Sequence, residues 1–341
     1  MSSQLRSTIS GPSTLQEWRD EAYELIKRAV ASGEYHLLWI LMGLGKTYTA
    51  GNLPADPSVS TPITVLTRQV DTREQVEAYA LEAGLDASKI KVLPRFFEEC
   101  PTAAGDYNDE KVESGSDITW ADLMELLQSQ GVSPSEIHER LGNNLPCQRS
   151  GRCPYSRACD FDIDEIELLV GHPVHAYVPS YVADRAVLFD EVAAQEFYYE
   201  VENETYTTAI TTFLSDLDIP ATSFDDLIRA SETERSKWSQ AVEDQDELID
   251  PELGYTRSGC RADAPLLTLG VLTGTPVTTG DLTLDNLRRS EIGNRVVLYD
   301  EGEGKNDPLM MVRNPPDPLS GAAAVVAMDG TPTQAVWEGG L

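Results

Sequence analysis

The chain contains few lysines, few cysteines and no long apolar segment. Seven lysines stand against nineteen arginines among 341 residues, and no run of 18 apolar residues occurs. We therefore predict that no helix crosses a membrane. Residues 1–14 are polar and lack the apolar stretch of a signal peptide, which predicts a cytoplasmic protein. With 41% hydrophobic residues, the chain is long enough to form a substantial core and more than one module.

Acidic residues dominate the charge of the chain. The 57 Asp and Glu residues outnumber the 26 Lys and Arg residues, which gives a net charge of -31, and they are spread along the whole sequence. Dispersed acid with scarce lysine is typical of a protein kept soluble in concentrated salt, so we hypothesise a halophilic protein; an acidic mesophilic protein is the alternative. In molar salt the Debye length is only about 3 Å, so long-range repulsion between an acidic protein and DNA is screened. The net charge therefore neither supports nor excludes binding to DNA.

Alternating strand and helix patterns predict an α/β fold with a parallel sheet flanked by helices. A helical apolar pattern at 15–30 is followed by strand-like apolar runs at 36–41, 62–67, 89–93, 166–170, 186–189 and 322–328. Strands separated by helices are typical of parallel sheets. We predict one α/β domain formed by residues 1–99, 160–200 and 318–341. Two insertions interrupt it: a cysteine-rich segment at 100–159 and a mixed helical and β segment at 201–317.

The sequence MGLGKT, which ends at Thr47, lies between a predicted strand and a predicted helix, as a P-loop does. Gly43 and Gly45 allow backbone N–H groups to close around phosphate oxygens. Lys46 is predicted to reach the β- and γ-phosphates of ATP, and the Thr47 hydroxyl to bind Mg²⁺. Ile40 occupies the position of the usual first glycine, and a chance match to a glycine-rich helix start is the alternative.

A second motif is an apolar strand that ends in Asp190 and Glu191. Asp190 is predicted to bind Mg²⁺, and Glu191 to orient and deprotonate the attacking water. An apolar strand ending in a solvated acidic turn is common, so the motif is informative because it follows the P-loop in the correct order. Together the two motifs predict ATP hydrolysis with Lys46, Asp190 and Glu191 as the catalytic residues.

These ordered motifs resemble the motor domain of superfamily 2 helicases, in particular the XPD/DinG branch. MGLGKT resembles motif I, Leu66-Thr67-Arg68 resembles motif Ia, DEVA from Asp190 resembles motif II, and DGTPT from Asp329 resembles motif III. The resemblance implies a RecA-like domain that acts on single-stranded or forked DNA. It places Thr67 and Arg68 on the DNA track, and it makes Asp329, Thr331 and Thr333 the motif III residues.

The cysteines extend this resemblance. The XPD/DinG branch carries a [4Fe–4S] cluster held by four cysteines between motifs Ia and II, and this chain has Cys100, Cys147, Cys153 and Cys159 in that interval. Four thiolates by themselves suit an iron–sulfur cluster or zinc. The resemblance implies the iron–sulfur cluster, and zinc or a metal-free remnant are the alternatives. We assign none of the four histidines to the cluster, because four cysteines suffice.

We expect the chain to lack the second motor domain of a helicase, because the sequence ends at Leu341, shortly after motif III. Motifs IV to VI, with the arginine finger, would follow there, so we expect ATP hydrolysis to need a second motor domain from another polypeptide. The segment 201–317 occupies the place of the helical arch of XPD-type proteins. The alternative function is a non-motor accessory protein that binds nucleotide and metal. A P-loop kinase or GTPase is disfavoured, since no guanine-reading N-K-x-D motif occurs.

Overall fold

The computed structural model contains two compact units. Unit 1 comprises residues 1–94, 158–196 and 316–341, and unit 2 comprises residues 95–157 and 197–315. The structure describes residues 14–330 except 113–117, 130–132, 150, 191–196, 202–206, 208–209, 212, 216, 218, 222, 245–263, 280–281, 294, 301–309 and 314. Both predicted insertions fall almost entirely within unit 2, and their separation into two domains remains a prediction.

The described secondary structure is as follows. The strands are β1 (Tyr35–Trp39), β2 (Ile63–Leu66), β3 (Ile90–Val92), β4 (Leu168–Gly171), β5 (Ala186–Asp190), β6 (Tyr198–Val201), β7 (Thr275–Thr279), β8 (Leu282–Ile292), β9 (Arg295–Asp300), β10 (Met310–Arg313) and β11 (Ala324–Asp329). The helices are α1 (Leu15–Ser32), α2 (Lys46–Asn52), α3 (Val70–Glu82), α4 (Phe96–Glu99), α5 (Trp120–Ser129), α6 (Pro134–Leu141), α7 (Pro154–Ala158), α8 (Pro179–Val182), α9 (Phe224–Arg229), α10 (Glu232–Glu243) and α11 (Ala264–Thr273).

Unit 1 is built on a six-stranded parallel sheet in the order β1-β11-β5-β2-β4-β3. Every residue of β2, β4, β5 and β11 is buried, as expected for parallel strands covered by helices on both faces. The six predicted apolar runs all form strands of this sheet, so the predicted α/β fold with a parallel sheet flanked by helices is confirmed. Because the strands are parallel, their carboxyl ends lie along one edge of the sheet.

Helix α1 begins and ends where its sequence indicates. Thr14 and Glu17 form a capping box at the first turn, and Gly33 ends the helix in the left-handed conformation at φ 72°. One face of α1 buries Ile26 and its neighbours against the sheet core. The helix is thereby fixed beside β1 and β11, and its polar face is left to contribute to the site described below.

A buried arginine ties the strands together just before β5. The guanidinium of Arg185 donates to the carbonyl oxygens of Ile63 and Ile166 and to the hydroxyl of Thr64, each at 2.8 Å. Burial lowers the pKa of Arg185 to about 10, so the group stays charged at neutral pH. One side chain therefore satisfies three buried oxygen atoms near the amino ends of β2, β4 and β5.

Replacing Arg185 with methionine is expected to lower the free energy of unfolding by about 3–5 kcal/mol, because the buried oxygens lose their donor. Urea unfolding followed by circular dichroism measures this change. The matched control is Arg28→Met, at an exposed position of α1, which should change the free energy of unfolding by less than about 0.5 kcal/mol. Equal effects of the two substitutions would contradict a structural role for Arg185.

Unit 2 contains a five-stranded antiparallel sheet in the order β6-β10-β9-β8-β7. Helix α11 is buried over nearly its whole length and lies so close to β9 that a Cβ atom at Gly270 would be 2.5 Å from Val297. Trp238 of α10 and Tyr299 of β9 belong to the same core. Among the described residues of both units, no helix is long and apolar enough to cross a bilayer.

Candidate nucleotide site and metal centre

The loop between β1 and α2 has the backbone of a phosphate-binding turn. Gly43 and Gly45 both adopt φ 82°, in the left-handed region that favours glycine. Gly45 is the residue immediately before α2, and its carbonyl accepts from the N–H of Thr49 at 2.8 Å. Both glycines are thus required by backbone conformation, and the predicted strand–loop–helix context is present.

Lys46 is the first residue of α2, and its side chain is buried. It is 7% exposed, and its Nζ makes no hydrogen bond within the described part of the chain. Burying an ammonium group without a partner costs several kcal/mol. Such a group is therefore typical of a site that binds an anion. Lys46 therefore provides direct structural support for an anion site at this loop.

Thr47 and Asp190 meet at the same place. The Thr47 hydroxyl donates to Asp190 Oδ2 at 2.8 Å, although 143 positions separate the two residues in the chain. Asp190 ends β5 at the carboxyl edge of the sheet and is 6% exposed. A hydroxyl beside a carboxylate is a suitable oxygen donor set for Mg²⁺. The two residues predicted to bind this ion are thus brought together.

The predicted motif III begins on the strand beside β5. Asp329 ends β11 and is buried, and its carbonyl accepts from the N–H of Ile40 at 2.9 Å. The carbonyl of the next residue, Gly330, accepts from Trp39 Nε1 at 2.8 Å. Asp329 is therefore held between the end of β1 and the end of β5. Glu191, Thr331 and Thr333 lie outside the described residues, so their predicted roles remain predictions.

A cleft of about 1020 Å³ opens over this loop and is contained in unit 1. Its lining includes Lys46, Thr47 and Asp190, together with Gln16, Arg19 and Tyr23 from α1. The guanidinium of Arg19 donates to the Gly43 carbonyl at 3.3 Å and so fixes the loop. The contribution of α1 was not predicted from the sequence, although polar residues on one face of a helix next to a glycine loop are a usable signal.

The two residues predicted to contact DNA occupy different environments. Thr67 is 3% exposed and lines the cleft, and its carbonyl accepts from Arg73 Nε at 3.2 Å. Arg68, the next residue, is exposed. The structure thus places Arg68 at the surface and Thr67 in the lining of the cleft over the glycine loop.

A buried histidine, His175, lies next to Gly171, whose carbonyl accepts from the N–H of Thr67. His175 Nδ1 accepts from the N–H of His172 at 2.9 Å, and a Cβ atom at Gly171 would be 2.6 Å from that nitrogen. Burial, with the nearby positive groups of His172 and Arg73, lowers the pKa of His175 to about 3. The imidazole is therefore neutral in the folded protein at neutral pH.

His175 is expected to make the stability of unit 1 sensitive to acid. Because its folded pKa is lower than its ordinary value of 6.5, the unfolded chain binds a proton first as the pH falls. Between pH 6.5 and 3 the free energy of unfolding should fall by up to about 1.4 kcal/mol per pH unit from this residue. Urea unfolding across this range tests it. His175→Asn, which keeps an acceptor near Nδ1, should show a shallower pH dependence, and identical slopes would contradict the assignment.

A second group of chemically reactive side chains converges in unit 2. Cys100, His138, Cys147 and Cys153 place one donor atom each within 4.8 Å of one another, and all four residues are buried. Three of the four predicted cysteine ligands are thus brought together. The group does not include Cys159, which is half-buried and follows the end of α7. The fourth member is His138.

His138 was not identified from the sequence. It lies on α6, whose start is set by the Ser133 cap and by Pro134 in the first turn, and it neighbours the fully buried Ile137. Its Nδ1 lies 2.7 Å from the Pro134 carbonyl. Since a carbonyl can only accept, Nδ1 carries a proton, and Nε2 is the ring nitrogen that faces the sulfurs of Cys100 and Cys147. A histidine on the inward face of a short helix between cysteines was the available signal.

The contacts within this group favour the thiolate form of Cys153. Hydrogen bonds from Cys100 and Cys147 hold the pKa of Cys153 well below its usual range, and the same contacts raise the pKa of Cys100. Burial lowers the pKa of His138, but its contacts with Cys147 and Cys153 outweigh burial and raise it to about 10. Buried thiolate character is the property that a metal cation requires of its ligands.

Comparison with known proteins finds similarity at the level of structure. No family model and no curated protein matches this chain. A solved XPD helicase structure is similar with a TM-score of 0.45 and 12% identity, over 96% of this chain and 61% of that chain. A truncated XPD is similar with a TM-score of 0.38 and 10% identity, over 94% of this chain and 96% of that chain. This chain thus spans about 61% of the length of the XPD helicase structure.

Proposed function

We propose that unit 1 is an ATP-binding motor domain of the helicase type that acts on single-stranded or forked DNA. Hydrolysis then requires a second motor domain supplied by another polypeptide. The observation that carries the proposal is the buried Lys46 ammonium in a glycine loop beside the Thr47–Asp190 pair. These three groups are the ones that bind a nucleoside triphosphate and its magnesium ion in P-loop proteins.

Each group has a separate task in this proposal. Lys46 neutralises the charge of the terminal phosphates, while Thr47 and Asp190 hold Mg²⁺, which polarises the phosphoryl oxygens. Glu191 follows Asp190 directly in the chain and is proposed to deprotonate the attacking water. An arginine from a second motor domain is expected to complete the charge stabilisation, because unaided nucleotide sites of this kind hydrolyse slowly.

The link to DNA rests on neighbouring residues of one segment. Thr67 lines the nucleotide cleft, and Arg68 next to it is exposed at the carboxyl edge of the same sheet. Arg73 holds the Thr67 carbonyl by a hydrogen bond. Because Thr67 and Arg68 are adjacent, a movement of Thr67 on nucleotide binding would also move Arg68. Arginine is the side chain best suited to a phosphate backbone. We therefore propose Arg68 as the DNA contact in this segment.

Two titrations test the proposal. A fluorescent ATP analogue should bind the wild-type protein with Mg²⁺ and bind much more weakly with EDTA, and Asp190→Asn should lose most of that magnesium dependence. Absence of nucleotide binding at millimolar concentrations would refute the proposal. The same protein should bind labelled single-stranded DNA with an affinity that falls as potassium chloride rises.

A matched pair of variants separates the motor from the accessory alternative. Arg68→Ala should weaken binding to single-stranded DNA several-fold and leave nucleotide binding unchanged, whereas Arg28→Ala, at an exposed position of α1, should change neither. Nucleotide binding without any DNA binding across the salt range would favour the accessory protein. Addition of a candidate second motor domain should then stimulate ATP hydrolysis only if the motor proposal is correct.

A further inference from the structure

We infer that Cys100, His138, Cys147 and Cys153 form a mononuclear, structural zinc site, in place of the [4Fe–4S] cluster that the resemblance of the sequence motifs to XPD/DinG helicases implies. The carrying observation is the spacing of the four donor atoms, together with the replacement of the fourth cysteine by a histidine. This inference concerns unit 2 and is independent of the nucleotide proposal.

Three of the six distances between the donor atoms match the ligand spacing around one tetrahedral metal ion. Zinc with Zn–S bonds of about 2.3 Å separates two sulfurs by about 3.8 Å, and a sulfur and an imidazole nitrogen by about 3.6 Å. Cys100 Sγ lies 3.8 Å from Cys147 Sγ, and His138 Nε2 lies 3.5 Å from Cys100 Sγ and 3.7 Å from Cys147 Sγ. A sulfur separation of 3.8 Å also excludes a disulfide, whose bond is about 2.05 Å.

The same distances do not fit a cubane cluster. In a [4Fe–4S] cluster each cysteine binds a different iron, so four irons and four sulfides lie among the ligand sulfurs. Those sulfurs occupy the corners of a tetrahedron much larger than the 4.8 Å within which all four donors lie here. The space enclosed by this donor set accommodates one ion.

The surroundings of the donors indicate a closed structural site. All four ligand residues are buried, and the rings of Phe96 and Tyr155 pack on His138 at centroid distances of 5.9 Å each. The Pro134 carbonyl fixes the His138 ring by its contact with Nδ1, which is the usual second contact of a zinc-bound histidine. The N–H of Cys147 donates to the Thr102 hydroxyl at 3.0 Å. Three thiolates and one imidazole with no open position are typical of structural zinc.

Two measurements on the wild-type protein test the inference. The protein is expressed with zinc and iron both supplied, purified without oxygen in the presence of a thiol reductant, and its metal content is determined. We expect one zinc per chain and a colourless solution. X-ray absorption at the zinc edge should show three sulfur ligands and one nitrogen ligand. About four irons with a brown colour, or a zinc shell of four sulfurs, would overturn the inference.

A matched pair of variants assigns the fourth ligand. His138→Gln should lose at least ten-fold in zinc affinity, and its cobalt-substituted form should lose the visible bands of a tetrahedral site. Cys159→Ser should keep the zinc stoichiometry and the cobalt spectrum of the wild type. The opposite pattern, with metal lost in Cys159→Ser and kept in His138→Gln, would refute the site. The wild-type absorption measurement decides the question if His138→Gln does not fold.

Discussion

Replacing Lys46 with methionine is expected to reduce ATP affinity on the order of 100-fold while stabilising the nucleotide-free protein. Loss of a charged hydrogen bond to phosphate costs about 1.5–3 kcal/mol, which corresponds to the weaker binding. The expected gain in stability comes from removing a buried charge that has no hydrogen-bond partner in the described part of the nucleotide-free protein. The Lys46 ammonium is buried and makes no hydrogen bond within the described residues, and methionine fills a similar volume without that cost. The free energy of unfolding should rise by about 1–3 kcal/mol.

Two measurements in parallel check this prediction: titration with a fluorescent ATP analogue and urea unfolding without nucleotide. The control is Lys89→Met, because the Lys89 side chain is 41% exposed, forms only a long ion pair of 3.8 Å with Glu167 and lies outside the cleft lining. That variant should change the free energy of unfolding by less than about 1 kcal/mol and leave ATP binding unaltered. A Lys46→Met protein that loses stability and keeps ATP binding would show that the lysine is a structural residue.

Removing the metal is expected to unfold the segment that holds the donor group, which spans residues 95–157. This segment consists of short helices such as α4 and α7, which are too short to be stable alone. The metal joins Cys100 to His138, Cys147 and Cys153, and structural zinc contributes on the order of 10 kcal/mol to the folding of small domains. Without the metal, the segment should lose most of its tertiary structure.

Hydrogen exchange read by mass spectrometry measures this effect after treatment with a zinc chelator and a thiol reductant. Peptides from α6 and α7 should lose protection, and peptides from β8 and β9 serve as the internal reference. Nucleotide binding by unit 1 should persist, since its cleft uses none of these residues. Addition of Zn²⁺ should restore protection and addition of Mg²⁺ should not. Unchanged protection in a protein shown to have lost its metal would contradict the prediction.

The strands of the parallel sheet were predictable because each is buried on both faces. Strands such as β2 and β5 are continuous apolar runs that local pattern alone identifies. The antiparallel sheet of unit 2 was predicted only as unspecified β structure within the segment 201–317. Strand β8 has the sequence LTLDNLRRSEI, whose charged residues hide the pattern. Its pairing with β7 and β9 depends on contacts that no single segment encodes.

The two candidate sites also differ in how far the sequence alone could identify their residues. The glycine loop and Lys46 are adjacent in the chain, so the local motif was sufficient to predict the strand–loop–helix geometry of the candidate phosphate site. The membership of the metal group was not predictable, because spacing along the chain does not show which side chains converge. Four cysteines in one interval indicated four thiolate ligands, but the cap and first turn of α6 direct His138 into the group, and Cys159 is not part of it.

The sequence by itself determined the parallel α/β core, the P-loop with its acidic strand end, and the presence of a cysteine-rich segment between them. These features depend on residues close together in the chain, where hydrophobic periodicity and backbone preference act directly. Only the tertiary structure decided that Thr47 meets Asp190, that Arg19 supports the loop, and that the donor atoms of His138 and three cysteines lie within 4.8 Å of one another. Those contacts form across long separations in the chain, where the packing of whole elements sets the distances between side chains.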